Sequence, residues 1–119
     1  MKKLIYLLGL GLVLFGCEET KQMPITEFST GDLGEKDLLV DVRTPGEFSE
    51  GHLDGAVNID WMSGDFIQKM DTIDKDRKIY VYCKKGGRSA AAAHVLDSLG
   101  YRVIDLTGGW DDLQAPQQP

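Results

Sequence analysis

Thiols and imidazoles are scarce. The chain has two cysteines and two histidines in 119 residues, and no set of His, Cys, Asp or Glu has the spacing of a metal-ligand group. Neither a metal nor a cofactor is expected. If Cys17 and Cys83 have separate jobs, no disulfide is available within the chain. No apolar run is long enough to cross a bilayer comfortably: the longest, Leu4 to Phe15, has 12 residues. There is no internal repeat, and the length suits one domain. Basic residues are outnumbered, 13 Lys and Arg against 19 Asp and Glu, for a formal net charge of −6. With no basic stripe, a nucleic-acid partner is excluded.

What the first residues do contain is a leader. Lys2-Lys3 followed by the short apolar run reads as a secretory signal over residues 1–16. Its loss would remove two lysines and no acid, taking the charge from −6 to −8. The end of this stretch, Leu14-Phe15-Gly16-Cys17, resembles the bacterial lipobox, with a leucine three before the cysteine and a small residue just before it. Phe15 is bulkier than the commonest residue at its site. The resemblance implies that Cys17 receives palmitate-like acyl chains and becomes the mature N-terminus. Two or three chains hold a protein on a membrane where one would not. The alternative is an ordinary cleaved signal that leaves Cys17 free. Residues 17–24 are polar, end in proline and read as a lipid-anchored tether. Glu18, where some lipoproteins carry a retaining aspartate, favours an outer layer. A domain in the cell envelope, facing periplasm or exterior, is the expected location.

The rest of the mature chain alternates strand and helix signals. An edge strand is expected at 25–28, a loop or weak helix at 31–35 and a buried strand at 38–43. Thr44 and Pro45 open a helix that Gly51 ends. A short strand follows at 57–59. A helix over 63–73 puts Phe66, Ile67, Met70 and Ile73 on one face. Strand 78–82 leads to a loop, then a helix to Leu99 capped by Gly100. A strand at 101–106 and a short helix from Trp110 follow, and residues 114–119 read as a disordered tail. Such alternation predicts an α/β fold, with a mostly parallel central sheet and helices on both faces. Ligands then bind outside the carboxyl ends of the strands, where Cys83 and Arg43 fall.

The loop Cys83-Lys84-Lys85-Gly86-Gly87-Arg88-Ser89 is where chemistry is expected. A lone cysteine after an apolar strand is often just a small buried hydrophobe. Here it stands at the mouth of a glycine-bearing loop that opens an alanine-rich helix. Free backbone N–H groups and the positive end of the helix collect there, with three cations added. That setting favours a nucleophilic thiolate and holds an anion.

Four segments then resemble the rhodanese domain, the single-domain sulfurtransferase family, across 25–113. They are Asp41-Val42-Arg43 with Glu47-Phe48, Gly51-His52 with Gly55-Ala56 and Asn58-Ile59, the loop from Tyr82 to Ala90, and Gly108-Gly109-Trp110. The resemblance implies a three-layer rhodanese-like fold and a persulfide relay. Cys83 would take sulfur from a small anionic donor such as thiosulfate and pass it to a thiol or cyanide acceptor. Lys84, Lys85, Gly86, Gly87, Arg88 and Ser89 would bind the substrate. Asp41, Arg43, Glu47 and His52 would organise loops rather than act directly. Four residues separate Cys83 from Arg88. A cysteine phosphatase needs five, so the spacing favours sulfur over phosphate. Lys85 departs from the small or hydroxyl residue common at its position, which leaves open a non-catalytic module that binds or senses sulfur.

Overall fold

The computed structural model describes residues 20–115, so the leader, Cys17 and the tail beyond Ala115 lie outside the described residues. Among the described residues there are five strands: β1 (Lys21–Pro24), β2 (Leu38–Asp41), β3 (Val57–Asn58), β4 (Lys78–Tyr82) and β5 (Arg102–Thr107). They form one sheet in the order β1-β5-β4-β2-β3, and every pairing is parallel. The central strands are short apolar runs with both faces covered, as a parallel sheet requires. The α-helices among the described residues are α1 (Pro45–Glu50), α2 (Phe66–Met70), α3 (Gly87–Ser98) and α4 (Gly109–Gln114).

Strand alternation sorts the core into two halves. One half joins Val40, Val42, Ile79 and Val81 of the sheet region to Phe66 and Met70 of α2 and Ala92, Ala93 and Leu96 of α3. The other joins Leu39, Tyr80, Tyr82 and Leu106 to Ile25, with Trp110 and Leu113 of α4 packed against it. Helices thus cover both faces. A fully buried Leu or Ile contributes about 1.5–3 kcal/mol, so these two layers dominate the favourable side of folding.

Several element boundaries differ from expectation. Lys21–Pro24, read as tether, is strand β1, bonded to β5 from Lys21 opposite Ile104 to Pro24 opposite Thr107. Ile25–Glu27, the core of the expected edge strand, is instead a 3₁₀ turn that buries Ile25 completely. A second 3₁₀ turn at Thr30–Asp32 falls where a loop or weak helix was expected. The helix expected over 63–73 is confined to Phe66–Met70, because residues 60–65 are taken up by turns that Asp60 and Ser63 bond locally. Gln114, assigned to the tail, is the last residue of α4. The cap on α1 matches: Thr44 accepts from the Glu47 N–H, Glu47 bonds the Thr44 N–H in return, and Pro45 stands at the first helical position. Helix α3 closes through Gly100 and Tyr101, whose N–H groups bond the Asp97 and Leu96 carbonyls.

Candidate active site

Cys83 follows the last residue of β4, at the carboxyl edge of the sheet, and is 1% exposed. Its Sγ accepts hydrogen bonds from the Gly86 N–H at 3.1 Å and the Ser89 N–H at 3.3 Å. The Ser89 Oγ lies 3.6 Å away. Helix α3 begins at Gly87, so the sulfur sits at the N-terminus of a three-turn helix. Gly86 precedes it with φ at +116°, a conformation that side chains rarely adopt, and this turn aims both amides at sulfur.

The loop is held from behind by α4. The Trp110 N–H donates to the Cys83 carbonyl at 2.8 Å, and the Asp111 N–H to the Lys84 carbonyl at 2.9 Å. This contact needs Gly109, at φ +70°, because a Cβ there would stand 2.7 Å from the Cys83 carbonyl oxygen and closer still to that of Lys84.

Each of the three loop cations already has a carboxylate partner. Lys84 and Lys85 each reach Asp111 of α4 at 2.8 Å, one on each oxygen. The two lysines hold the Asp111 carboxyl below the usual carboxylate range, and Asp111 raises Lys85 in turn. Arg88 makes a two-pronged pair with Glu47 of α1, at 2.7 and 3.0 Å. That hydrogen bond raises Arg88 despite its partial burial. Three cations against two acids leave one surplus positive charge, shared by the exposed Lys84 and Lys85 over Asp111.

Asp41 and Arg43 lie elsewhere. Arg43 wraps back on Asp41, with Nη2–Oδ2 at 2.7 Å, and donates to the Gly51 carbonyl at 2.7 Å. Its guanidinium carbon lies 5.7 Å from the Tyr82 ring centroid and 5.1 Å from that of Trp110. Burial would lower the guanidinium, but the bond and charge of Asp41 outweigh it and the group is raised. The Asn58 side chain ties the Asp41 and Arg43 carbonyls together. None of these bonds reaches the sulfur. His52 also stands apart: it is exposed, stacked on Phe48 at 3.6 Å, with Nδ1 bonded to the Phe48 carbonyl. A cavity of about 460 Å³ lined by Lys21, Lys78 and Arg102 opens at the other ends of the strands, away from Cys83.

Glu47 therefore links α1 to the cysteine loop, and its titration reports on that link. Its carboxyl is brought down from 4.5 to about 2, chiefly by the Arg88 hydrogen bond, with burial acting the other way. A depressed carboxylate adds stability above its unfolded value, and that stability is lost as pH falls through the folded value. Urea unfolding should show stability falling between about pH 5 and pH 2 by on the order of 1–2 kcal/mol, solvent screening reducing the full linkage value. Glu47→Gln should flatten that part of the pH profile. An unchanged profile would break the assigned link.

Two participants escaped the sequence reading. Asp111 belongs to the short last helix, with no local sign of its two lysine partners. Asp105 of β5 is 2% exposed, and its Oδ1 has no hydrogen-bond partner. The signal for it was an acid inside the apolar run Val103-Ile104-Asp105-Leu106.

Comparison with known proteins agrees with this geometry. The Rhodanese-like domain family model matches residues 28–116. YtwF of Bacillus subtilis is 36% identical over 104 residues, covering 80% of this chain and 99% of that protein. The thiosulfate sulfurtransferase PspE of Escherichia coli is 31% identical over 78 residues, covering 66% and 75%. In the crystal structure of SSP1007 from Staphylococcus saprophyticus, the similar chain has a TM-score of 0.68 at 27% identity, covering 77% of this chain and 91% of that one. The fold is shared with SSP1007, the sequence is similar to that of a protein named as a thiosulfate sulfurtransferase, and this chain belongs to the rhodanese-like family.

Proposed function

We propose that the protein is a rhodanese-type sulfurtransferase working through a Cys83 persulfide. The observation that carries this is the convergence of the Gly86 and Ser89 amides on the Cys83 sulfur. Donors aimed at a buried sulfur stabilise it as an anion, both before attack and when it later leaves the persulfide. The thiolate attacks the outer sulfur of an anionic donor such as thiosulfate. A bond from Sγ to that sulfur forms, the donor's S–S bond breaks, and sulfite leaves with the electron pair. A thiol or cyanide then takes the outer sulfur and returns Cys83 as thiolate. The first-turn amides of α3 at Gly87 and Arg88 have no intrahelical acceptors, and the donor's oxyanion would bind there. With all three cations paired, the amides supply most of that binding.

Sustained formation of thiocyanate from thiosulfate and cyanide tests the reading. A single sulfur taken up without release would instead favour a non-catalytic sulfur-binding or sensing module, for which Lys85 is the motive. Its ammonium is tied to Asp111 rather than left over the loop.

The membrane anchor is proposed on the sequence Leu14-Phe15-Gly16-Cys17. Lipid on Cys17 would place the domain in the cell envelope, within about 10–15 Å of the bilayer if residues 17–20 are extended. Cys17→Ser should move the protein from the membrane to the soluble fraction. Retention there would reject the anchor.

A further inference from the structure

Asp105 is a titratable group buried within the site's own half of the core, and nothing in the sulfur-transfer chemistry above uses it. Strand β5 puts it in register with Val81 of β4. Alternation places it on the same face as Val103, which packs in one cluster with Val81, Cys83 and Ala92 of α3. It therefore lies under the first turns of α3, where Ser89 is fully buried. Register, face and burial put the Ser89 hydroxyl next to the Asp105 carboxyl, and a Ser89 hydrogen bond pulls that carboxyl down. The same hydroxyl lies 3.2 Å from the Gly86 carbonyl and 3.6 Å from Cys83 Sγ. Ser89 thus has one proton and three acceptors around it, while Asp105 Oδ1 has no partner.

We propose that Asp105 and Cys83, bridged by the Ser89 hydroxyl, share a single proton, which makes Asp105 a positioning residue that sets the pH range in which Cys83 is a thiolate. With Asp105 protonated, its O–H donates to Ser89 Oγ and the Ser89 O–H donates to the sulfur, which is then an anion held by three donors. With Asp105 ionised, the Ser89 O–H turns to the carboxylate, and the sulfur keeps its proton and donates it to Ser89 Oγ. Passage between the two states breaks S–H and forms O–H on Ser89, while the original Ser89 proton moves to Asp105. Net charge does not change: the pocket holds one negative charge in either state. Two anions together would be costly at this burial.

The surroundings leave Asp105 to this pair. Burial pushes its carboxyl up, and the Ser89 bond pulls the other way. Across β5, the β1 residue in register is the uncharged Gln22. On β4 the register partner is the apolar Val81. From α3, Arg88 is committed to Glu47, and His94 is exposed. On α4, Asp111 is committed to Lys84 and Lys85, and Asp112 is exposed.

The inference rests on Cys83 as the nucleophile, and its test does not need sulfur transfer. The full chain carrying Cys17→Ser has Cys83 as its single thiol. Its rate of alkylation by iodoacetamide, a neutral probe, is followed against pH. Asp105→Asn removes the competing charge and leaves a permanent donor toward Ser89, so the midpoint of the profile should fall by about one pH unit. Adding Ser89→Ala should cut that shift by at least about half, because the bridge is gone. A role for Asp105 in stability alone would leave the midpoint in place. A midpoint that stays within about 0.2 unit or rises overturns the proposal. Should Asp105→Asn not fold, the carbon-13 carboxyl resonance of Asp105 in the unsubstituted site carries the test. It should show an inflection where Cys83 ionises and lose it once Cys83 is alkylated, and a resonance blind to Cys83 overturns the proposal equally. Failure of sulfur uptake with this coupling intact would count against the proposed function alone.

Discussion

Cys83→Ala is expected to abolish sulfur uptake while leaving the fold in place. After incubation with thiosulfate, the unsubstituted domain should gain one sulfur atom by intact mass, and the variant none. The loop is fixed by bonds that do not involve the side chain: Trp110 N–H to the Cys83 carbonyl, Asp111 N–H to the Lys84 carbonyl, and the Glu47–Arg88 pair. Loss of one buried sulfur costs about 1 kcal/mol of transfer and cavity energy. The variant should therefore unfold cooperatively at a slightly lower urea concentration. Cys83→Ser is the sharper control, because its hydroxyl can accept from the same two amides but does not ionise near neutral pH. It should also take up no sulfur. Equal gain of sulfur by the alanine variant would rule out the persulfide at Cys83.

The second large effect is on stability. Asp41→Ala should destabilise the domain by about 3–5 kcal/mol, because it leaves a buried guanidinium without its counter-charge. Asp41 accepts from the Arg43 backbone N–H, from Nε and from Nη2. Once it is gone, Arg43 retains the Gly51 carbonyl and its place beside Tyr82 and Trp110, which do not balance a charge that is 2% exposed. A domain of this size has about 5–15 kcal/mol in all, so the urea midpoint should fall steeply with little change in slope. Replacing both partners together, Asp41→Leu with Arg43→Met, should recover much of the loss, since no orphaned charge remains. A single-variant change below about 1 kcal/mol would show that water reaches Arg43 and that the pair is not truly buried.

The elements that could be read from the chain were those whose residues carry their own signal. The apolar runs within 38–43 and 78–82 supply central strands, the Ala-rich stretch is the long helix, and Thr44-Pro45 opens α1. Strand β1 was missed because its side chains are mostly exposed and its stability comes from main-chain bonds to β5, far along the chain. Ile25 misled for the complementary reason: a fully buried isoleucine signals a strand, but here it anchors a 3₁₀ turn. In the site, the cysteine, the loop and the helix start were legible as one contiguous motif. The electrostatics were not. Glu47 and Arg88 are 41 residues apart, Lys84 and Asp111 are 27 apart, and no periodicity connects them. Three cations read as free anion holders are thus tied to acids supplied by α1 and α4. Asp105 was hidden the same way, as one acid in a strand, until β4 and α3 were set beside it.

The way α4 grips the loop also fixes when the protein can become competent. The amides of Trp110 and Asp111 and the carboxylate of Asp111 are among the last described residues to leave the ribosome, and β1, among the first, has no partner until β5 exists. Until both arrive, the sulfur has no shaped cradle. During synthesis the sulfur is thus an ordinary thiol, and the chain matures chemically only when its last strand and helix fold into place.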